Sequence, residues 1–484
     1  MNLSRRTAPY LNQIISNFLK KHDKFSENPS WEIRESNVGG FGVFTTRDVA
    51  IGEVIFIDVP VILGPRCIPN CPILCVSCFR KTDLLKPCIS GCGLPVCSNE
   101  CQNSSFHQQE CRLVRQLRHG ESKDICNKLF ENLTPLKSLF LDQNDKDVVL
   151  SLIAHNRDRH GHEVDTLKNG FGFEFSEDDE KFMKFVCCVM DANAFEVSLS
   201  GEKGDSSLRG LYPLGSLANH SCTPNLTHVF NEHQEMVAKA AVFIPKNTEL
   251  VHSYTRIIWD TTTRLYHLHC TKHFICKCLR CQDRTEFGTY MGSVLCKKCR
   301  GIVSPVNPYK SYGKWQCQDC KTYILGKDVK TLTTLLGSIL RDLDSKGFEF
   351  IYNFLKGKLK TVVPDHNQIA IAVKYKLIWL LGHMDGYKYK DLTLELLDIK
   401  EELCKDILFV LNKLQCGQCK LRGLLLYELY CCQREKIQRL KSNKQIDLYT
   451  NEIQNNLDEI LLIMRYDVAA PDEIKKFLDC DLKE

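Results

Sequence analysis

The run Leu217-Ala-Asn-His-Ser-Cys-Thr-Pro-Asn225 sets an amide, an imidazole, a hydroxyl and a thiol side by side at Asn219, His220, Ser221 and Cys222. Pro224 ends regular structure just beyond them, so the segment reads as a loop made for contacts. Further on, Thr248-Glu-Leu-Val-His-Ser-Tyr254 has the character of a short strand and ends on a tyrosine, whose hydroxyl is able to orient a reacting group. Taken alone, Asn-His-Ser-Cys is equally a capped turn with a satisfied histidine. The rest of the chain has to decide between the two.

Cysteine is the outlier of the composition, with 27 residues, many in Cys-x2-Cys or Cys-x-Cys spacings that suit metal better than long-range disulfides. The densest pattern is Cys75-x2-Cys78-x9-Cys88-x3-Cys92-x4-Cys97-x3-Cys101-x5-His107-x3-Cys111. A structural zinc takes four nitrogen or sulfur ligands, so this segment predicts two tetrahedral sites and folding coupled to metal. Eight-ligand modules often interleave their sites. That assigns Cys75, Cys78, Cys97 and Cys101 to one ion and Cys88, Cys92, His107 and Cys111 to the other. Downstream, Cys276, Cys278 and Cys281 supply only three ligands, and Cys222 is the candidate fourth. Cys296, Cys299, Cys317 and Cys320 have zinc-ribbon spacing. The expectation is about four structural zinc ions in a reducing compartment, where the sequons at Asn132 and Asn225 are chance matches.

Several elements must position these groups. Pro9 starts an amphipathic helix carrying Leu11, Ile14, Ile15, Phe18 and Leu19. Val38-Gly-Gly-Phe-Gly-Val-Phe44 reads as a strand and a glycine turn, followed by a turn at Ala50-Ile-Gly-Glu53 and the β-branched run Val54-Ile-Phe-Ile57. The glycines allow close backbone approach to a ligand, although a plain hairpin fits that stretch equally well. Helical periodicity then runs from Arg112 to about Leu199, and Ser200-Gly-Glu-Lys-Gly-Asp-Ser-Ser207 is a polar loop. From Lys327 to Glu484 the pattern is helical throughout and suggests antiparallel pairs stacked as a superhelix, with Cys416, Cys419, Cys431 and Cys432 as ordinary buried thiols.

With 484 residues, 43% hydrophobic and 25% charged, the chain has room for two or three domains. A net charge of +5 is too mild over this length for an electrostatic nucleic-acid binder, and no apolar run is long enough to span a membrane.

The order of parts resembles the SET- and MYND-domain (SMYD) lysine methyltransferases. The likeness rests on a glycine turn before a strand, the eight-ligand finger, a helical insert, Asn-His-Ser-Cys, Glu-Leu-x-x-Ser-Tyr, Cys-x-Cys-x2-Cys and a helical tail. Thr271-Lys-His-Phe-Ile-Cys276 and the extra Cys296 to Cys320 tetrad are similar to the arthropod SmydA-type branch. The resemblance implies an α+β protein whose knotted β-rich SET domain is interrupted by a MYND finger and a helical insert, with a Cys-rich post-SET segment and a helical, TPR-like C-terminal domain. The expected boundaries are 1–28 for the N-terminal helix, 29–70 and 206–255 for the SET parts, 71–111 for MYND and 112–205 for the insert. The post-SET segment, ribbon and tail then occupy 256–282, 283–326 and 327–484.

By the same resemblance, S-adenosyl-L-methionine sits in a pocket lined by Gly40, Phe41, Gly42, Asn193, Asn219, His220, Tyr254 and Phe274, with Tyr254 and His220 as the catalytic residues. The implied function is methylation of histone or other protein lysines in transcriptional regulation, by a monomer found in cytoplasm and nucleus. Two departures stand out. Lys272 occupies the place of a second channel tyrosine, where a cation would repel an incoming lysine or occupy its place, and Asn247 stands where a glycine is usual. The competing expectation is a scaffold that recruits partners, through proline-containing peptides bound by MYND and through the tail, without transferring anything.

Overall fold

The computed structural model describes residues 6–68, 71–117, 124–155, 161–199, 208–439 and 443–481. The polar loop Ser200 to Ser207 lies outside the described residues. Thr7 caps the first helix, Ala8–Lys21, through its side-chain oxygen, and Leu11, Ile15, Phe18 and Leu19 bury one face of it. Asn12 ties this helix to the first strand. Its amide nitrogen donates to the Ile33 carbonyl at 2.7 Å and its oxygen accepts from Ile33 N at 2.9 Å.

Strands β1 (Trp31–Glu35) and β2 (Phe41–Thr45) pair antiparallel across a turn in which Gly40 takes φ of 57°. β3 (Val54–Asp58) and β4 (Ile62–Pro65) follow, then the two-residue strands β5 (Lys86–Pro87) and β6 (Pro95–Val96) of the finger. The helix Ser105–Leu117 begins inside the finger rather than after it. His107 and Cys111 are four residues apart, so a helix puts both ligands on one face, and metal geometry draws the helix start upstream of the expected 112.

The insert contributes the helix Glu177–Asn193, capped by Ser176 and opened by Glu177, Asp178, Asp179 and Glu180, which suit the positive end of the helix dipole. The chain then returns to sheet earlier than its polar composition suggests: β7 (Phe195–Val197) pairs with β8 (Leu208–Leu211), which pairs with β4. β9 (Asn219–His220), β10 (Leu226–Phe230), β11 (Met236–Ala240) and β12 (Glu249–His252) complete the SET core. Asn219 and His220 therefore lie in a short strand instead of a loop.

The main sheet has the order β1-β2-β12-β9, and a second has the order β10-β11-β3. β12 is antiparallel to β2 but parallel to β9, with Val251 opposite Asn219 and His252 opposite His220. The strand leading to Tyr254 is thus held between the glycine turn's strand and Asn219-His220. Beyond it lie the helix Thr261–Lys272, a four-stranded ribbon sheet over 294–325, and a succession of helices from Gly326–Asp342 to Asp472–Asp481 that share one hydrophobic core with the ribbon. Among the described residues no helix is long and apolar enough to cross a membrane.

Candidate functional site

Four ligand tetrads form: Cys75, Cys78, Cys97 and Cys101; Cys88, Cys92, His107 and Cys111; Cys222, Cys276, Cys278 and Cys281; and Cys296, Cys299, Cys317 and Cys320. Within each, all ligand atoms lie within 4.8 Å of one another. The sulfur pairs Cys78–Cys97, Cys222–Cys281 and Cys299–Cys317 stand 3.6, 3.5 and 3.5 Å apart. A zinc–sulfur bond of about 2.3 Å gives a tetrahedral edge of about 3.8 Å, so the residues fit the ion. His107 adds an independent sign: it is fully buried and neither ring nitrogen has a hydrogen-bond partner in the structure, so one is free to bind a metal.

The third tetrad ties β9's end to the post-SET segment. Arg264, fully buried, donates from Nε to Cys222 Sγ at 3.1 Å and pairs through another nitrogen with Glu286 at 2.7 Å. Its positive charge offsets the negative charge that four thiolates bring to zinc, and it orients Cys222.

On the other side of Cys222, Asn219 braces the glycine turn. Its amide nitrogen donates to the Phe41 carbonyl at 3.0 Å, the Gly39 carbonyl at 3.4 Å and Glu249 Oε1 at 2.7 Å. Ser36 Oγ donates to the same Glu249 oxygen. A Cβ on Gly42 would run into the Glu249 carboxylate and the Asn219 amide, so a side chain there would displace the groups that brace the turn. Glu249 was not among the expected site residues. The Glu-Leu element contained it, but only the β2–β12 pairing gives the carboxylate its place.

His220 accepts from Tyr254 N at its Nδ1 at 2.9 Å, which puts the ring proton on Nε2, 3.3 Å from Cys222 Sγ. Both nitrogens are engaged, so the ring's part is to fix Tyr254 relative to the zinc site. Tyr254 donates its hydroxyl proton to the Ala218 carbonyl at 2.8 Å. Burial, and secondarily the Glu249 carboxylate, push the phenol's pKa up, so it stays protonated. Phe274 completes an aromatic group: ring centroids lie 5.1 Å apart for His220 and Tyr254, and 5.8 Å for His220 and Phe274.

The far side of Tyr254 holds His252, which sequence patterning does not single out, together with Lys272 and Asn193. His252 is buried 4.7 Å from the Tyr254 ring and stacked on Phe195 at 5.3 Å, and its two nitrogens have no hydrogen-bond partner. Burial drives its pKa well below the usual imidazole value, which keeps it neutral. Lys272, at the end of its helix, donates from Nζ to the Ala192 carbonyl at 2.7 Å and lies 5.7 Å over the Tyr254 ring. Burial pushes its pKa down to about 8. Asn193 stands beside Ala192, with its amide committed to the carbonyls of Ile153 and Val189 at 2.7 and 2.8 Å.

These residues present turn backbone, an aromatic face and a buried hydroxyl, groups whose chemistry suits S-adenosyl-L-methionine.

A SET domain model matches residues 40–255. The SET domain-containing protein SmydA-8, isoform B, of Drosophila melanogaster is 31% identical, over 88% of this chain and 97% of its own. The histone-lysine N-methyltransferase ASHR1 of Arabidopsis thaliana is 29% identical over 62% of this chain and 66% of its own. The mouse histone-lysine N-methyltransferase SMYD3 is 22% identical over 57% and 68%. Identity at this level along almost the full length of SmydA-8, on top of the SET match, places the chain in the SMYD family of SET- and MYND-domain proteins, on its arthropod SmydA side.

Proposed function

We propose that the protein is an S-adenosyl-L-methionine-dependent protein-lysine N-methyltransferase, acting on histone or other protein lysines in transcriptional control. The observation that carries this reading is the parallel pairing of β9 with β12. It puts the Asn219-braced glycine turn and the Tyr254 hydroxyl on one rigid frame.

When bound, the cofactor supplies an electrophilic methyl group on a sulfonium. The chain's own residues do the rest. The Gly40-Phe41-Gly42 backbone, in the shape Asn219 imposes, would hold the amino-acid end, and Phe274 would support the adenine. An amine attacks only when neutral. A dry wall of Phe195, His252 and Tyr254 disfavours the ammonium, and the Tyr254 hydroxyl directs the lone pair of the amine. His220 is not free to take the amine's proton, because both its nitrogens are engaged.

Calorimetry of the cofactor on zinc-replete protein tests this. Wild type should bind, and Asn219→Ala should bind about tenfold or more weakly while keeping zinc and fold, since the mutation frees the turn. No heat from wild type, or equal affinity in the mutant, would remove the pocket.

One observation favours a second reading. Lys272 brings an ammonium to the Tyr254 ring, which suits a scaffold that keeps the pocket but transfers nothing and recruits peptide partners through MYND and tail. Labelled methyl groups from the cofactor appearing on any protein lysine would exclude it.

A further inference from the structure

The methyltransferase reading leaves the anionic group of the cofactor without a charged partner, and the residue before the N-terminal helix offers one. The donors that the family resemblance assigns to the pocket are already committed: Asn219 to Gly39, Phe41 and Glu249, and Asn193 to Ile153 and Val189. Arg6 precedes the Thr7 cap, and its guanidinium carbon lies 5.6 Å from the centre of the Phe41 ring, the middle residue of the glycine turn. Its Nε is buried and has no hydrogen-bond partner in the structure. Among the described residues no carboxylate stands within ion-pair distance of it.

A place over the Phe41 ring favours the cation but gives no acceptor to the N–H groups in the guanidinium plane. A buried Nε–H left open is costly unless a ligand takes it. Burial also lowers the arginine's pKa from its usual value, which an arriving anion would reverse. Arg6 is held in place from both sides: Asn12 pins its helix to Ile33, and Ile33 pairs with Val43 two residues beyond Phe41.

Resting on the methyltransferase reading, we infer that Arg6 binds the carboxylate of the cofactor's amino-acid end, so that the segment leading into the N-terminal helix is part of the cofactor site. The carboxylate is the cofactor's sole anionic group. The sulfonium and ammonium repel a guanidinium and the adenine is neutral, so the chemistry allows one assignment. A planar donor fork suits a carboxylate better than any other group the cofactor carries.

The test compares S-adenosyl-L-methionine with its decarboxylated analogue by calorimetry on the full, zinc-replete chain, wild type and Arg6→Gln. Wild type should bind the complete cofactor about tenfold or more tightly than the analogue. Arg6→Gln should erase that difference by weakening the complete cofactor alone, with the analogue unchanged. Wild-type indifference to the carboxylate overturns the inference without any variant, and so does an equal loss of both ligands in Arg6→Gln. Absence of binding by wild type to either ligand overturns the methyltransferase reading itself, and the Arg6 assignment with it.

Discussion

Under the proposed function, Lys272 is the residue at which turnover is best tested. Its ammonium is 2.7 Å from the Ala192 carbonyl and 5.7 Å over the ring of Tyr254, the hydroxyl bearer that the proposal sets beside the acceptor amine. Burial lowers its pKa to about 8, so at neutral pH it is charged and repels an incoming ammonium, and above about 8 it is neutral and does not. Lys272→Tyr should therefore raise methyl transfer severalfold at pH 7, and the ratio of mutant to wild-type rate should fall as pH rises through about 8. Equal rates at every pH would show that Lys272 does not obstruct. The same shift bears on stability. An unfolded lysine titrates near about 10.4. Between about 8 and that value the unfolded chain holds a proton that the folded chain has lost, so stability rises with pH across this window. Lys272→Met should flatten that rise in thermal unfolding between pH 8 and 10.

The element that decides whether the site exists is the zinc staple between β9's end and the post-SET segment. Cys222→Ser removes one ligand of four and leaves Arg264 buried beside a lost thiolate. Elemental analysis should then find about three zinc ions instead of four, with weakened cofactor binding, because His220 and Phe274 lose their anchor. Four retained ions would contradict the staple. This element was legible in the sequence for a chemical reason: zinc demands four ligands, Cys276, Cys278 and Cys281 make three, and Cys222 stood in a segment already marked by Asn219 and His220. The eight ligands from Cys75 to Cys111 were legible for the same reason. Glu249, His252 and Arg6 were not, and Phe195 was legible only as a buried-type residue near Asn193. Glu249 and His252 gain their places from the β2–β12 and β12–β9 pairings, Phe195 from a strand following a helix, and Arg6 from a helix packed on β1. Local spacing carries none of these long-range registers. The helix start at Ser105 adds what composition does not carry: the finger's last two ligands, His107 and Cys111, ride on a helix.

At the scale of the whole molecule, the helical tail is locked onto the SET core. Lys239 of β11, only 2% exposed, donates to the carbonyls of Leu462, Ile463 and Arg465 at 3.1, 2.6 and 3.2 Å. These carbonyls end the helix Asn443–Met464, where intrahelical partners run out and the dipole is negative, so a cation there serves as a cap supplied by another domain. Further bonds surround it: Val468 N to the Phe230 carbonyl, Gln418 N to the Ala241 carbonyl, and Lys420 with Asp467 at 3.1 Å. Gly417, at φ of 57°, has no room for a Cβ against Ala241, so the chain between two tail helices lies flush on the end of β11. The thiols of Cys416 and Cys419 flank that contact and are buried there. Lys239→Met keeps the aliphatic stem and removes the cap, leaving three carbonyls without their donor at a cost on the order of 2 kcal/mol. Hydrogen exchange should then speed up around residues 462 to 468, while the four zinc sites and cofactor affinity stay as in wild type, because β9, β12 and the glycine turn lie in the other sheet. A loss of cofactor affinity equal to the loss of protection would instead mean that tail docking and the cofactor pocket form one cooperative unit.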